Sequence, residues 1–171
     1  MPDTSDEEYV EYVTARIPAL RRLAYVLCGD EHRADDLVQQ TITTLYVKWQ
    51  RARTATHLDR YVRTMLVRTF LDEKRLAWAR VRLFGETPEP APVADGGVED
   101  RHVLRAALAR VPRRQQAVLI LRFLYDLPVD EVAEILGCSA GTVKSQTSHG
   151  LTRLRRLLSE QAFAPQGSRS P

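Results

Sequence analysis

The sequence is poor in cysteine, in aromatic residues and in long hydrophobic runs, and each shortage excludes a class of protein. Two cysteines in 171 residues are too few for a disulfide framework or a zinc finger, so we expect no metal site. Cys28 and His32 have no second pair beside them and are interpreted as a small buried residue and a surface histidine. No apolar stretch reaches membrane-spanning length, and the acidic N-terminus lacks the features of a signal peptide. These absences predict a cytoplasmic protein without membrane insertion.

The alternating apolar pattern of β-strands is also missing, and apolar residues recur instead at helical spacing. The first predicted helix ends at Gly29, a second follows directly, and a third covers about residues 58–83. In the second helix Leu37 and Leu45 are predicted to face a core, which leaves Thr41 and its polar neighbours towards solvent or a partner. We therefore predict an all-α chain of two small helical domains.

Residues 86–100 separate these domains, because prolines, paired glycines and acids replace every periodic apolar pattern there. The composition is typical of a flexible acidic linker. The alternative is a long surface loop inside one domain, but structureless loops of that length are uncommon in compact domains. The predicted domains are 1–85 and 101–161, and residues 162–171 are predicted to be a disordered tail.

The run from 127 to 158 predicts a helix, a tight turn and a second helix. Pro128 suits the entry to a helix, and Gly137 suits the left-handed conformation that ends one. Ser139 is predicted to cap the second helix by accepting from a backbone N–H of its first turn. Val143 begins the apolar face of that helix. The opposite face carries short donors and acceptors with one cation: Thr142, Lys144, Ser145, Ser148 and His149.

This pattern is typical of a helix-turn-helix that reads base edges and phosphates in the major groove. An ordinary helical hairpin with a solvated polar face is the alternative. The formal net charge is only +3, but basic residues are concentrated in two blocks, one within residues 59–82 and one in the second helix with its continuation. Both blocks suit phosphate binding, so the charge distribution favours a nucleic-acid binder with two sites.

Three motifs resemble the extracytoplasmic-function class of bacterial RNA polymerase sigma factors, in the order that this family shows. They are DDLVQQT at 35–41, YVRTMLVRTFLDEKR at 61–75 and AGTVKS at 140–145. Residues 108–126 also resemble the helix that precedes the helix-turn-helix of this family's region four. The resemblance covers about residues 9–84 and 101–160.

The resemblance implies that regions two and four bind core polymerase and two promoter elements. Binding to the clamp helices of the largest polymerase subunit is implied for Asp36, Leu37, Gln39, Gln40, Thr41, Leu45 and Trp49. Recognition of the single-stranded minus-ten element is implied for Arg60, Arg63, Arg68, Thr69, Lys74 and Arg75. Recognition of the minus-thirty-five element is implied for Ser139, Thr142, Lys144, Ser145, Ser148, His149 and Arg153. The flap of the second subunit and an anti-sigma protein are further implied partners.

Departures from the family pattern at four positions bear on these roles. Gln40 stands where an acidic residue is usual, and Thr69 stands where asparagine is common. Gln146 and His149 also replace frequent cations in the second helix of the helix-turn-helix. We therefore expect a weaker electrostatic contribution and a promoter preference that differs from common members.

A regulator that occupies operators and never joins polymerase is the competing hypothesis, because its helix-turn-helix would look the same. The N-terminal motif and the basic third helix favour the sigma factor. An enzyme is disfavoured because the adjacent Asp35 and Asp36 point about 100° apart on a helix and do not converge. We predict no catalytic residues and no cofactor.

Overall fold

The computed structural model describes residues 4–84 and 99–162, with side chains at 4–73 and 101–160. All regular structure within these ranges is helical, which confirms the predicted all-α class. The N-terminal half (residues 4–84) contains α1 (Thr4–Cys28), α2 (Glu31–Val47), α3 (Trp49–Ala52) and α4 (Leu58–Phe84). The C-terminal half (residues 99–162) contains α5 (Glu99–Ala109), α6 (Arg113–Leu119), α7 (Val129–Leu136) and α8 (Ala140–Ala162). The predicted linker lies mostly, and the predicted tail almost entirely, outside the described residues.

A tight turn between α1 and α2 lets these two helices pack side by side. Gly29 adopts a left-handed φ of 70° and its N–H donates to the Tyr25 carbonyl at 2.8 Å. Asp30 then caps α2, because its side chain accepts from the Arg33 N–H at 2.8 Å. Leu37, Leu45 and other apolar residues at helical spacing are fully buried between α1, α2 and α4. The predicted helix end at Gly29 and the inward positions of α2 are confirmed.

The C-terminal half depends on a close approach between α6 and α8. Gly150 is buried in α8, and a Cβ at this position would lie 3.2 Å from the Leu119 side chain. After α6 the chain continues as a π-helical turn, Ile120–Leu124. This turn directs Ile120 into the core and leaves Phe123 and Leu124 each 56% exposed. The half is therefore tightly packed inside but presents an apolar surface at the π-helical turn.

The two halves are not separate bodies in this structure, because buried residues of both belong to one hydrophobic cluster. The Gln116 side chain, 6% exposed, donates to the carbonyl of Leu27 at 3.2 Å. This bond satisfies one of the carbonyls that the end of α1 leaves without a helical partner. The Arg113 guanidinium lies 4.4 Å from the centre of the Phe70 ring and donates to the Phe70 carbonyl at 2.6 Å. The sequence predicted two domains but did not predict this contact between them.

Candidate nucleic-acid interface

The helix-turn-helix is formed by α7, a turn at Gly137 and α8. Gly137 has a φ of 62°, and the Cys138 N–H donates to the Ala133 carbonyl at 3.0 Å, which closes the end of α7. The Ser139 hydroxyl accepts from the Thr142 N–H at 3.1 Å and so caps α8. The predicted turn and the predicted cap are both confirmed. These contacts hold the start of α8 at a defined angle to α7.

One face of α8 is polar and open to solvent. Lys144, Ser145, Ser148, His149 and Arg153 are exposed, whereas Val143 on the other side is fully buried. Thr142 is half-buried, and its hydroxyl lies 2.9 Å from the hydroxyl of Ser139. The first three turns of α8 therefore present hydroxyls, a cation and an imidazole together, the groups that major-groove recognition uses. Their role in DNA binding stays a prediction.

A basic groove of about 660 Å³ lies along α4, between α2, the segment 53–57 and α7. Its lining includes Thr44, Lys48, Ala55, His57, Arg60, Tyr61, Thr64, Met65, Arg68, Thr69, Asp72 and Glu134. The structure thus brings together three residues that the sequence analysis assigned to single-strand recognition, Arg60, Arg68 and Thr69. The Thr69 hydroxyl donates to the Met65 carbonyl of its own helix at 2.8 Å. The side chains of Lys74 and Arg75 lie outside the described residues.

Arg60, Arg63 and Arg68 of α4 face α7 and do not point freely to solvent. Arg60 forms an ion pair with Glu134 and lies 3.8 Å from Glu131, while Arg63 lies 3.5 Å from Glu131. Arg68 donates to the main-chain carbonyls of Ile135 at 3.0 Å and of Glu134 at 3.1 Å. Glu131 and Glu134 can be read from the sequence, but their pairing with these arginines depends on the packing of α7 against α4.

Only some of the α2 residues implied for polymerase binding are exposed, and the others are buried in the core. Asp36, Gln39 and Gln40 are exposed, whereas Leu37 and Thr41 are fully buried. The predicted outward position of Thr41 is wrong, because its hydroxyl donates to the Leu37 carbonyl at 2.7 Å inside the packed face of α2. Two further residues implied for this contact, Leu45 and Trp49, are also in the core. These four side chains support the surface from below and do not form it.

Sequence reasoning missed an apolar patch at the end of α2. Tyr46 is 51% exposed and Val47 is 81% exposed. The signal was present, since two large apolar residues follow Leu45 outside the helical spacing of the core. Tyr46 packs edge-on against Tyr9, with ring centres 5.0 Å apart, and this contact holds it beside the exposed amides of α2.

Half-buried ionisable groups lie where the two halves meet. Burial raises the pKa of Glu73, although Arg113 and Arg33 each lie 3.8 Å away and oppose that rise. Burial likewise lowers the pKa of Arg113. Burial, together with the nearby Glu73, raises the pKa of the Cys28 thiol to about 11.

In the part of the chain that the structure describes, His, Cys, Asp and Glu form no group of three suited to a metal ion. Within the same ranges, none of the helices has the length and apolar character needed to cross a bilayer.

Comparison with protein families supports the division into two regions. Residues 101–154 match the model of sigma-70 region 4, and residues 13–58 match the sigma2 domain of PhyR. The chain is 34% identical over 157 residues to the RNA polymerase sigma-E factor of Streptomyces coelicolor, across 88% of this chain and 86% of that protein. It is 29% identical over 150 residues to the ECF sigma factor EcfG of Rhodopseudomonas palustris, across 85% of this chain and 82% of that protein.

Solved structures share the fold over nearly the whole chain. The sigma factor RpoE of Bartonella quintana, solved with the anti-sigma factor NepR, superposes with a TM-score of 0.74 at 27% identity, over 90% of this chain and 98% of that one. CnrH, solved with the cytosolic domain of CnrY, has the same fold at 18% identity, with a TM-score of 0.61, over 93% of this chain and 91% of that one. The agreement of relatives, fold and order of regions shows that the chain belongs to the extracytoplasmic-function class of RNA polymerase sigma factors.

Proposed function

We propose that this protein joins core RNA polymerase and directs promoter recognition, promoter melting and the start of transcription at a specific set of promoters. The observation that carries the proposal is that one chain of this family has two different surfaces whose chemistry suits nucleic acid. One is the exposed polar face of α8, and the other is the basic groove along α4. A protein that reads duplex at one element and single strand at another needs both kinds of surface.

The polar face of α8 is proposed to read the minus-thirty-five element in the major groove. Lys144, Ser145, Ser148 and His149 are exposed along it and would contact base edges. Arg153, one turn further along α8, would contact phosphate. The single lysine in this set supports the expectation of a modest electrostatic contribution, since fewer phosphate contacts weaken the dependence of affinity on salt.

The basic groove is proposed to hold the minus-ten element as a single strand. Arg60 and Arg68 line the groove together with Thr69 and would neutralise phosphates, and Arg63 would do so one turn from Arg60 on α4. Tyr61 and His57 also line it and offer rings on which unpaired bases can stack. Stacking and charge neutralisation together would offset the unstacking that promoter melting requires, about a few kcal/mol per base step.

Polymerase binding is proposed for two exposed surfaces. Asp36, Gln39 and Gln40 with the adjacent Tyr46 and Val47 would contact the clamp helices, because apolar and amide groups side by side suit a helical partner. The exposed Phe123 and Leu124 of the π-helical turn would contact the flap of the second subunit.

An anti-sigma protein is proposed as a further partner, because the superposed relative RpoE was solved in complex with one. The protein would act in the cytoplasm, where polymerase and chromosome are found. We propose no catalytic activity of its own, since the relatives that it matches are RNA polymerase sigma factors.

The first experiment is transcription in vitro with bacterial core polymerase, this protein and a library of promoter fragments, with transcript starts mapped. Discrete starts that depend on the protein are expected. Duplex binding without polymerase binding or transcripts would instead identify an operator-binding regulator.

Two variants separate the surfaces in the same assay. Lys144→Ala is expected to reduce specific transcripts about tenfold without changing polymerase binding, since one specific contact contributes about 1–3 kcal/mol. Arg101→Ala, which also removes one exposed cation from the C-terminal half, is the matched control. Asp36→Arg is expected to weaken polymerase binding and leave duplex binding unchanged, with Glu7→Arg on the exposed side of α1 as its control. Equal loss of polymerase binding in Lys144→Ala and Asp36→Arg would contradict this division of roles.

A further inference from the structure

The helix-turn-helix places two carboxylates against arginines of α4, next to the basic groove. Glu131 and Glu134 lie one turn apart on α7, and the Glu134 side chain lines the groove itself. We propose that these glutamates act as an intramolecular phosphate mimic that engages the arginines of the groove and competes with single-stranded DNA until the two halves separate. The inference rests on the proposed function of the groove and concerns its regulation.

Charge pairing is the first support. Arg60 pairs with both glutamates and Arg63 with Glu131. The side chains of Arg63 and Glu131 are only 29% and 23% exposed, so solvent and salt screen this pair less than a fully exposed one. A nucleic-acid strand in the groove would present phosphate oxygens to the same guanidinium groups. Strand and glutamates therefore compete for these cations.

Main-chain carbonyls of α7 are the second support, because they bind a further arginine of the groove. Arg68 donates to the carbonyls of Glu134 and Ile135, which lie in the last turn of α7. The end of a helix carries partial negative charge and unpaired carbonyls, so it attracts a guanidinium as a phosphate does. The three described arginines assigned to the single strand are thus all engaged by acceptors from one helix.

Contacts elsewhere hold α7 in this position. Arg113 on the Phe70 ring, Gln116 on the Leu27 carbonyl and the shared apolar cluster join the two halves beside the groove. Lys144, Ser148 and His149 meanwhile stay exposed. In this closed arrangement the surface for duplex DNA is open, while the arginines assigned to single-stranded DNA are engaged by α7. Capture of the minus-ten strand then requires the halves to part, which polymerase binding would favour if it holds them apart.

The first test measures closure without any DNA. Spin labels at Thr14→Cys and Thr152→Cys, two exposed positions of α1 and α8, report the distance between the halves when Cys28 and Cys138 are replaced by serine. Glu131→Arg with Glu134→Arg is expected to add a population at longer distance, because like charges then face each other. The exchange Arg60→Glu with Glu134→Arg is expected to restore the short distance. The proposal would be overturned if the distance distribution of Glu131→Arg with Glu134→Arg were the same as that of the wild type.

The second test measures competition with nucleic acid. Binding of a fluorescent single-stranded oligonucleotide is compared for the wild type and for Glu131→Gln with Glu134→Gln, which keeps side-chain shape and removes charge. We expect the affinity to rise about three- to tenfold, the range for a few partly exposed ion pairs. Duplex binding by α8 should not change. Asp130→Asn, an exposed acid in the first turn of the same helix, is the matched control and should have no effect.

The outcomes separate this proposal from the proposed function. Unchanged single-strand affinity in the glutamine variant, with measurable binding by the wild type, would overturn the phosphate mimic. Protein-dependent transcription together with that result would leave the sigma-factor function intact. Absence of single-strand binding in every variant would overturn the mimic as well, because the groove would then not be a nucleic-acid site.

Discussion

Gly137 shows how a single residue sets the angle between the two helices of the helix-turn-helix. Its φ of 62° is one that L side chains rarely adopt, while its surroundings have room, since a Cβ there would meet only the Arg68 guanidinium at 3.8 Å. The requirement for glycine is therefore conformational and not steric.

Gly137→Ala is accordingly expected to lower the free energy of unfolding by about 1–2 kcal/mol, the cost of the left-handed conformation for an L residue. Urea denaturation measures this change. Gly141→Ala, in the first turn of α8 where a Cβ would meet only the Ser139 hydroxyl at 3.8 Å, should be neutral or stabilise by up to about 1 kcal/mol. Equal destabilisation by both variants would contradict the conformational argument.

Cys28 is predicted to be a slow nucleophile. Its pKa of about 11 leaves about one thiolate in a thousand at pH 8, and the higher intrinsic reactivity of a more basic thiolate recovers only part of the loss. Alkylation by iodoacetamide should be about tenfold slower than for an unperturbed thiol. Mass spectrometry of the labelled peptide measures the rate in native protein, and unfolding in urea should abolish the difference. Equal rates in native and unfolded protein would show that the site does not protect the thiol.

At the scale of the element, α2 has one face in the core and one face open to solvent. Leu37 is fully buried and Gln39 is exposed. Leu37→Ala should destabilise the protein by about 2–5 kcal/mol, because it leaves a cavity in the core. Gln39→Ala should change stability by less than about 0.5 kcal/mol. Thermal unfolding distinguishes them, and a large loss in Gln39→Ala would mean that this face is structural. Leu37 is for the same reason unsuitable as a probe of polymerase binding.

At the scale of the whole molecule, the junction of the halves makes stability depend on pH. Burial raises the pKa of Glu73 above its ordinary 4.5, so the folded state holds this proton more tightly than the unfolded state. The contribution of Glu73 to stability is therefore present below pH 4.5 and falls as pH rises towards its folded pKa.

Replacement of this carboxyl should remove that part of the pH dependence. Relative to Glu73→Gln, the wild type is expected to lose stability as pH rises from 4.5, as measured by urea denaturation across the acidic range. Asp72→Asn, an exposed acid next in the chain, controls for general charge effects. A constant difference between wild type and Glu73→Gln would contradict the raised pKa.

Much of the local structure followed from the sequence because its causes are local. Helical spacing of apolar residues indicated α1, α2, α4 and the helix-turn-helix, and the cap at Ser139 and the turn at Gly137 depend on neighbours within a few residues. The motifs at 35–41, 61–75 and 140–145 also indicate the family without the tertiary structure. Thr41 was misjudged because a polar side chain that bonds to its own helix can be buried, and residue type alone does not reveal that bond.

The amino-acid sequence by itself determined the helices, the division into two regions and the polar face of α8, since each depends on residue order within one element. Only the tertiary structure decided that the two halves share a core and that Arg60, Arg63 and Arg68 face α7. Such pairings join residues more than sixty positions apart. No periodic pattern encodes them, because they depend on how finished elements pack and on which charges that packing places within reach of each other.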